Sequence, residues 1–293
     1  MSDRPALVTF ANLTDPGRVR TRNEDCFGAF EPADPAVLRT RGRLFVVADG
    51  MGSHARGDVA SRLAVETVRD VYYDHALPEM LPRALHLSVQ TANTVVYREG
   101  QRDVGEPRMG TTLTMLVVRD HEAFVAHVGD SRAYLIRGTQ IRQLTEDHSL
   151  VSELVQKGVL SAAEAEHHPS THIILRALGT SREVAVDVHG PLSLIAGDTL
   201  VLCTDGLSRL VTPNEIRRLA QGSSPHQACE RLVSLANRRG GPDNITLQVI
   251  QIGWRLRMVR SVASVLAGLA GAARRWRRGP SGAASSSPDL ASC

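Results

Sequence analysis

The sequence predicts an α+β fold in which antiparallel sheets are covered by helices, and three observations lead there. Short apolar or alternating runs bounded by turn residues cluster in hairpin-like groups instead of alternating one for one with helical segments. The amphipathic helical segments cluster as well, the pattern of sheets with segregated helices. The chain has 293 residues, 42% of them hydrophobic, which is enough apolar material for one large core and excludes global disorder.

Buried strands are expected at residues 44–48, 112–118, 123–128, 133–136, 199–203 and 245–252. A helix is expected over about 58–75, with Ala60, Leu63, Ala64, Val68, Val71 and Tyr72 on one face. A second is expected over about 79–97, with Leu81, Leu85, Ala92, Val95 and Val96 as its apolar positions. Shorter helices near 213–220 and 225–237 each open on a proline, whose missing N–H is harmless in a first turn. Aromatic residues are only 4% of the chain, so the core must rest on Leu, Val, Ile and Ala. Residues 145–177 are polar and rich in His and Glu; they interrupt the strand series and read as a surface flap. Residues 7–252 form one continuous unit without an internal repeat or a linker.

The four cysteines (Cys26, Cys203, Cys229 and Cys293) include no CxxC pair, which argues against a zinc knuckle or a dithiol redox site. They read as small buried hydrophobes and a tail thiol. Residues 1–10 lack a basic segment followed by an apolar run, so no signal peptide is expected and the expected compartment is the cytoplasm. The net charge of +3 belongs to the C-terminal end: seven arginines and no acid lie in 255–278 and one aspartate in 279–293, which leaves residues 1–254 at −3.

That end is expected to form an Arg-flanked apolar helix over 253–278 and a disordered, Ser/Ala/Gly/Pro-rich tail over 279–293. The apolar stretch 261–273 would span about 20 Å as a helix, short of the roughly 30 Å of a hydrocarbon core. Peripheral contact with an anionic membrane surface, docking on a partner and a loosely ordered extension all remain open. Nucleic-acid binding is not expected, because no aromatic platform accompanies the arginines.

The informative feature is a set of acidic residues beside glycines or amides at the ends of apolar runs: Asn23-Glu24-Asp25, Asp49-Gly50, Gly129-Asp130, Asp205-Gly206 and Asp243-Asn244. Each alone reads equally well as a turn. Together they ask why several carboxylates should converge, since like charges repel unless a cation neutralises them. Hard divalent ions such as Mg²⁺ and Mn²⁺ take oxygen ligands. Two of them about 4 Å apart lower the pKa of a shared water and clamp a phosphoryl group through an in-line displacement.

The ordered series resembles the bacterial PPM (type 2C) metal-dependent serine/threonine protein phosphatases. It comprises Val19-Arg20 with Asn23-Glu24-Asp25, then Val46-Val47-Ala48-Asp49-Gly50-Met51-Gly52 with Gly57 and Ala60-Ser61, Gly110-Thr111-Thr112, Val128-Gly129-Asp130-Ser131-Arg132-Ala133-Tyr134, Thr204-Asp205-Gly206-Leu207 and Asp243-Asn244-Ile245-Thr246. The resemblance implies an α-β-β-α sandwich of two antiparallel sheets flanked by helices, with a dinuclear Mn²⁺ or Mg²⁺ site at one edge. It implies that Asp49 bridges both metals and that Gly50 adds a carbonyl. Asp205 and Asp243 would hold one ion, and Glu24, with Asp25 close by, the other. Asp130 with Asp205 matches the third-metal position of bacterial members, and Arg20 matches the phosphate-binding arginine. A guanidinium suits that role because it grips a phosphate through two parallel bonds.

The implied reaction is direct hydrolysis of phosphoserine or phosphothreonine by a metal-bridging hydroxide, without a phosphoenzyme. The implied partners are phosphorylated proteins, including a Ser/Thr kinase and its substrates. Two departures stand out. Met51 occupies a position where some members carry a proton-donating histidine, which leaves His54 or water as candidates, and Ser53 replaces a usual glycine. In the flap, Thr145, Asp147, His148 and Ser149 resemble the family's Thr-x-Asp-His-Ser segment and are expected to govern substrate access. His167, His168 and His172 read as surface histidines and not a second metal site. The rival reading is a catalytically silent module of the same fold used for binding or scaffolding; loss of Asp49, Asp205 or Asp243 would favour it, and all three are present. A third reading is a phosphatase of small phosphorylated metabolites.

Overall fold

Strand β3 (Arg43–Ala48) is apolar almost throughout because both of its faces are covered. Leu44, Val46 and Ala48 point to helices, while Phe45 and Val47 point to a second sheet. The same two-sided burial explains β6 (Leu113–Arg119), β7 (Glu122–Val128), β8 (Arg132–Arg137), β11 (Thr199–Cys203) and β12 (Ile245–Gly253). These are the strands the apolar runs predicted. The computed structural model describes residues 7–52, 56–74, 80–102, 109–166 and 168–253.

Two five-stranded antiparallel sheets form the centre. With β1 (Leu7–Asp15), β2 (Cys26–Phe30), β9 (Gln140–Gln143) and β10 (Asp187–Ser193) at the margins, the orders are β10-β7-β6-β3-β2 and β1-β12-β11-β8-β9. A short pair, β4 (Gly50–Met51) and β5 (Gly110–Thr111), stands apart. Helices α2 (Gly57–Tyr72) and α3 (Leu81–Gly100) cover the first sheet, burying Ala60, Val68, Tyr72, Leu85 and Val96 completely. Helices α7 (Pro213–Ala220) and α8 (Pro225–Arg238) cover the second with Ile216, Ala228, Leu232 and Ala236. Each such large aliphatic side chain taken from water contributes about 1.5–3 kcal/mol. Between the sheets lies a third apolar layer that includes Phe45, Val125, Leu200, Leu202 and Ile250. The result is an α-β-β-α sandwich.

The marginal elements escape sequence reading for physical reasons. Strand β9 and most of β10 are largely exposed and lack an apolar run; β10 also carries Pro191 and an irregularity between His189 and Leu192, as suits an edge. Helix α1 (Pro35–Arg41) has only seven residues, capped by Asp34. The second long helix starts at Leu81 and runs to Gly100, three residues past the expected end.

The flap carries α4 (Leu150–Gln156) and α5 (Ala162–Glu166), and none of its described residues from 150 to 176 is buried. Cys203 and Cys229 are buried, Cys26 is half-buried, and all three are free thiols. Among the described residues no helix is long and apolar enough to cross a membrane. Ser53, His54, His167, Cys293, the tail over 279–293 and all but Gly253 of the expected helix over 253–278 lie outside the described residues.

Register decides where the acidic residues go. Cys26 pairs with Ala48, Leu113 with Val128, Cys203 with Leu247 and Asp15 with Ile245. The exits of β3, β7 and β11 and the entries of β2 and β12 therefore share one end of the sandwich. Glu24, Asp25, Asp49, Asp130, Asp205 and Asp243 all sit there.

Candidate metal centre

Asp49 leaves β3 under tight backbone control. Its N–H donates to Thr112 Oγ1 at 2.9 Å, and its carbonyl accepts from Thr112 N and Thr111 Oγ1, both at 2.9 Å. Thr112 Oγ1 in turn meets Ser131 Oγ at 2.8 Å, which links the Asp49 turn to the loop carrying Asp130. The Gly110-Thr111-Thr112 motif is thus a brace, a role that residue type alone did not reveal.

Glu24 is placed by three contacts from distant parts of the chain. Its N–H donates to Asn244 Oδ1 at 2.8 Å, and its carbonyl accepts from Ser61 Oγ at 2.6 Å and Gly50 N at 3.2 Å. A Cβ on Gly50 would lie 2.1 Å from Gly57 O and 2.4 Å from Glu24 O, so only glycine permits this approach. Gly206 plays the same part opposite Asn244, where a Cβ would lie 1.9 Å from the carbonyl oxygen.

Asp25 accepts from Thr204 Oγ1 at 2.9 Å. Burial still pushes its carboxyl up to about 7, against the Thr246 and Thr204 hydroxyls and with help from the charges of Asp205 and Asp243. Asp130 is likewise raised to about 7, first by burial and then by Asp205, with Arg209 opposing. Asp49 is raised well above the carboxylate range by burial and by the charges of Asp25, Asp205 and Asp130. Glu24 is raised by burial and held back by the Gly57 N–H.

Four of these acids therefore resist ionising together in the absence of a cation. Asp130 Oδ1 and Asp205 Oδ1 are moreover buried without a hydrogen-bond partner. Orphaned carboxylate oxygens cost free energy unless something positive meets them. An all-oxygen donor set with this charge excess suits hard divalent ions. Among the described residues no three acidic, His or Cys side chains already surround one point. The arginines explain part of this: Asp243 accepts from Arg20 Nη2 at 3.0 Å, and Arg209 Nη2 lies 2.8 Å from Asp205 Oδ2 and 3.3 Å from Asp130 Oδ2.

Arg20 lies at the mouth of the centre, its side chain 55% exposed, with its guanidinium pKa raised by Asp243 and then by Glu24 and Asp49. Arg209 was not singled out in the sequence; its signal is the i, i+4 spacing from Asp205 across α6 (Asp205–Ser208). His127 also escaped notice. It is fully buried, with Nδ1 2.8 Å from Thr114 Oγ1 and Nε2 3.1 Å from Glu146 O.

The flap residues are set at its root. Thr145 Oγ1 accepts from Ala133 N at 3.2 Å, and Ser149 caps α4 by accepting from Ser152 N at 3.3 Å. Asp147 is gripped by Arg132 through Nε at 2.9 and 3.0 Å and Nη2 at 2.6 Å. His148 is buried against Gly129 and Asp187. His172 is exposed on the flap, and His168 Nδ1 accepts from Ser170 N at 3.1 Å within a turn.

A family model described as protein phosphatase 2C matches residues 20–240. A serine/threonine phosphatase, stp, of Listeria welshimeri is 38% identical over 244 residues, which span 81% of this chain and 93% of that protein. The crystal structure of the Mycobacterium tuberculosis serine/threonine phosphatase PstP/Ppp superposes with a TM-score of 0.73 at 34% identity, covering 84% of this chain and 99% of that one. A structure of the PstP catalytic domain in complex with two manganese ions superposes with a TM-score of 0.71 at 32% identity, covering 85% and 99%.

Proposed function

Because the chain belongs to the protein phosphatase 2C family, we propose that it is a metal-dependent protein serine/threonine phosphatase whose dinuclear Mn²⁺ or Mg²⁺ centre is held by Asp49, Gly50, Asp205, Asp243 and Glu24, with Asp25 and Asp130 beside them. The observation that carries this reading is the convergence of Asp25, Asp49, Asp130 and Asp205 with two buried, orphaned carboxylate oxygens. Bound ions supply Lewis acidity that makes water nucleophilic near neutral pH and offsets phosphoryl charge.

The chain's own residues do the rest. Arg20 is anchored on Asp243 yet more than half exposed, so it can offer a guanidinium edge to a phosphate dianion and orient it over the carboxylates. Water adds to phosphorus, the P–O bond to the serine or threonine breaks, and its oxygen leaves with a proton. Met51 offers no proton for that step. The flap, rooted by Thr145, Asp147, His148 and Ser149, borders the centre and is proposed to select substrates.

The proposed partners are phosphorylated proteins, including a Ser/Thr kinase and its substrates. The proposed domain is 7–252, with 255–278 available for a peripheral membrane or partner contact. Free Cys26, Cys203 and Cys229 suit a reducing, cytoplasmic compartment.

The test is phosphate release from a phosphothreonine peptide with Mn²⁺ and with EDTA, for native protein and Asp205→Ala. Turnover that needs both the metal and Asp205 is expected. A folded, Mn²⁺-loaded native protein that turns over no phosphopeptide would instead be a binding module; turnover of small phosphate esters alone would make it a metabolite phosphatase.

A further inference from the structure

Arg209 stands where the family resemblance places an additional metal ion. Asp130 follows β7 in one sheet and Asp205 follows β11 in the other, and their side chains are only 5% and 10% exposed. A single guanidinium nitrogen, Arg209 Nη2, reaches Oδ2 of both, at 3.3 and 2.8 Å. The same nitrogen lies 3.4 Å from the carbonyl oxygen of Thr171 in the flap.

The charge on that nitrogen is permanent, because a guanidinium does not lose its proton at accessible pH. Arg209 satisfies one oxygen of each carboxylate and leaves Oδ1 of each buried without a partner. A divalent ion joining the same two carboxylates would sit within a few ångströms of a fixed positive charge, where like charges repel strongly in a partly buried setting. Removal of the guanidinium would leave two buried carboxylates with no cation between them, the condition that recruits a metal.

We propose that Arg209 is a built-in cation at the Asp130–Asp205 pair: it takes the place of a third divalent ion, limits the centre to two, and latches the flap to that pair through Thr171. The inference rests on the metal-dependent reading of the same site. It makes Arg209 a positioning residue, acting through two carboxylates and one flap carbonyl without touching phosphate.

The experiment counts ions. Mn²⁺ bound per full-length chain is measured by equilibrium dialysis and calorimetric titration for native protein, Arg209→Met, Arg209→Gln and the double variant Arg209→Met/Asp130→Asn. Native protein is expected to bind two ions. Arg209→Met and Arg209→Gln are expected to gain a third, and the double variant to lose it again. Amide exchange over 168–176 is expected to quicken in the single variants, a change the loss of a surface arginine would not produce. Three ions on native protein overturn the inference and need no variant to fold. An unchanged count of two in folded Arg209→Met and Arg209→Gln also overturns it, while leaving the phosphatase reading intact. Native protein that binds no Mn²⁺ overturns both.

Discussion

Gly129 and His148 are bonded to each other twice: His148 N donates to Gly129 O at 2.7 Å, and Gly129 N donates to His148 Nδ1 at 3.1 Å. The pair joins the root of the flap to the residue just before Asp130. Gly129 has φ of 116°, and a Cβ there would lie 2.5 Å from Thr112 Cβ, so both backbone and space demand glycine. Because Nδ1 accepts, the ring proton sits on Nε2, which lies 3.1 Å from Asp187 Oδ2. Burial lowers the His148 pKa, in keeping with a neutral ring.

His148→Ala should therefore loosen the flap root and the Asp130 loop together. The Gly129 N–H loses its acceptor, a change worth about 1–3 kcal/mol for a buried donor. Faster amide exchange at 129–131 and 145–149 is the expected signature, alongside weaker Mn²⁺ binding. Loss of protection in the flap alone would show that the pair does not transmit to Asp130.

His127 gives a pH test. Burial, and then the neighbouring His148, lower its pKa from 6.5 to about 4. Between those values the unfolded chain takes up a proton that the folded chain refuses. The stabilisation is therefore complete above pH 6.5 and is lost as pH falls toward 4, by up to about 3 kcal/mol. The stability gap between native protein and His127→Gln, measured by urea unfolding, should narrow over that window. A gap that stays constant from pH 7 to pH 4 contradicts the assignment.

The carboxylates titrate with the opposite sign. Asp25 and Asp130 are raised from 3.8 to about 7, so in metal-free protein they hold protons that the unfolded chain has already released. Their contribution to stability therefore falls as pH rises from about 4 to about 7. A cation bound beside them favours their ionised forms, so Mn²⁺ binding at pH 6 should release about one to two protons and tighten as pH rises toward 7. Calorimetry in two buffers of different ionisation enthalpy reads the release. Binding without proton release at pH 6 would show that neither carboxyl is protonated in the free protein.

Much of this architecture was legible because buried strands advertise themselves: β3, β6, β11 and β12 are apolar on both faces and stand within a residue or so of where their runs place them. The edges were not legible, since β9 and β10 face solvent and carry few apolar residues to read. At the site, glycine beside aspartate pointed to Asp49 and Asp205, but the side chains that position them are ordinary in type. Thr111, Thr112, Thr204 and Ser61 matter through partners dozens of residues away. Arg209 hid for a different reason: an exposed helix-end arginine is common, and only the pairing of β8 with β11, Arg132 opposite Cys203, brings Asp130 within its reach.

Asn244 offers the sharpest test of how the acidic loop is held. Its side chain accepts from Glu24 N at 2.8 Å and donates to Pro16 O at 3.0 Å and Arg22 O at 2.8 Å, spanning the loop that carries Arg20, Glu24 and Asp25. Asn244→Ala removes all three bonds. Asn244→Asp keeps the acceptor but loses both donors and adds a charge beside Asp243. The loop carbonyls can turn to water, so the stability loss should be modest, about 1–2 kcal/mol or a few degrees in Tm. The effect on activity should be much larger, because Arg20 and Glu24 then lose their common anchor, and displacement by about 1 Å can cost roughly 100-fold in rate. Phosphopeptide hydrolysis at saturating Mn²⁺, set beside thermal unfolding of the same samples, separates the two effects. If both variants lose stability yet keep kcat/KM, the acidic loop is positioned by the Glu24 contacts to Ser61 and Gly50 and not by Asn244.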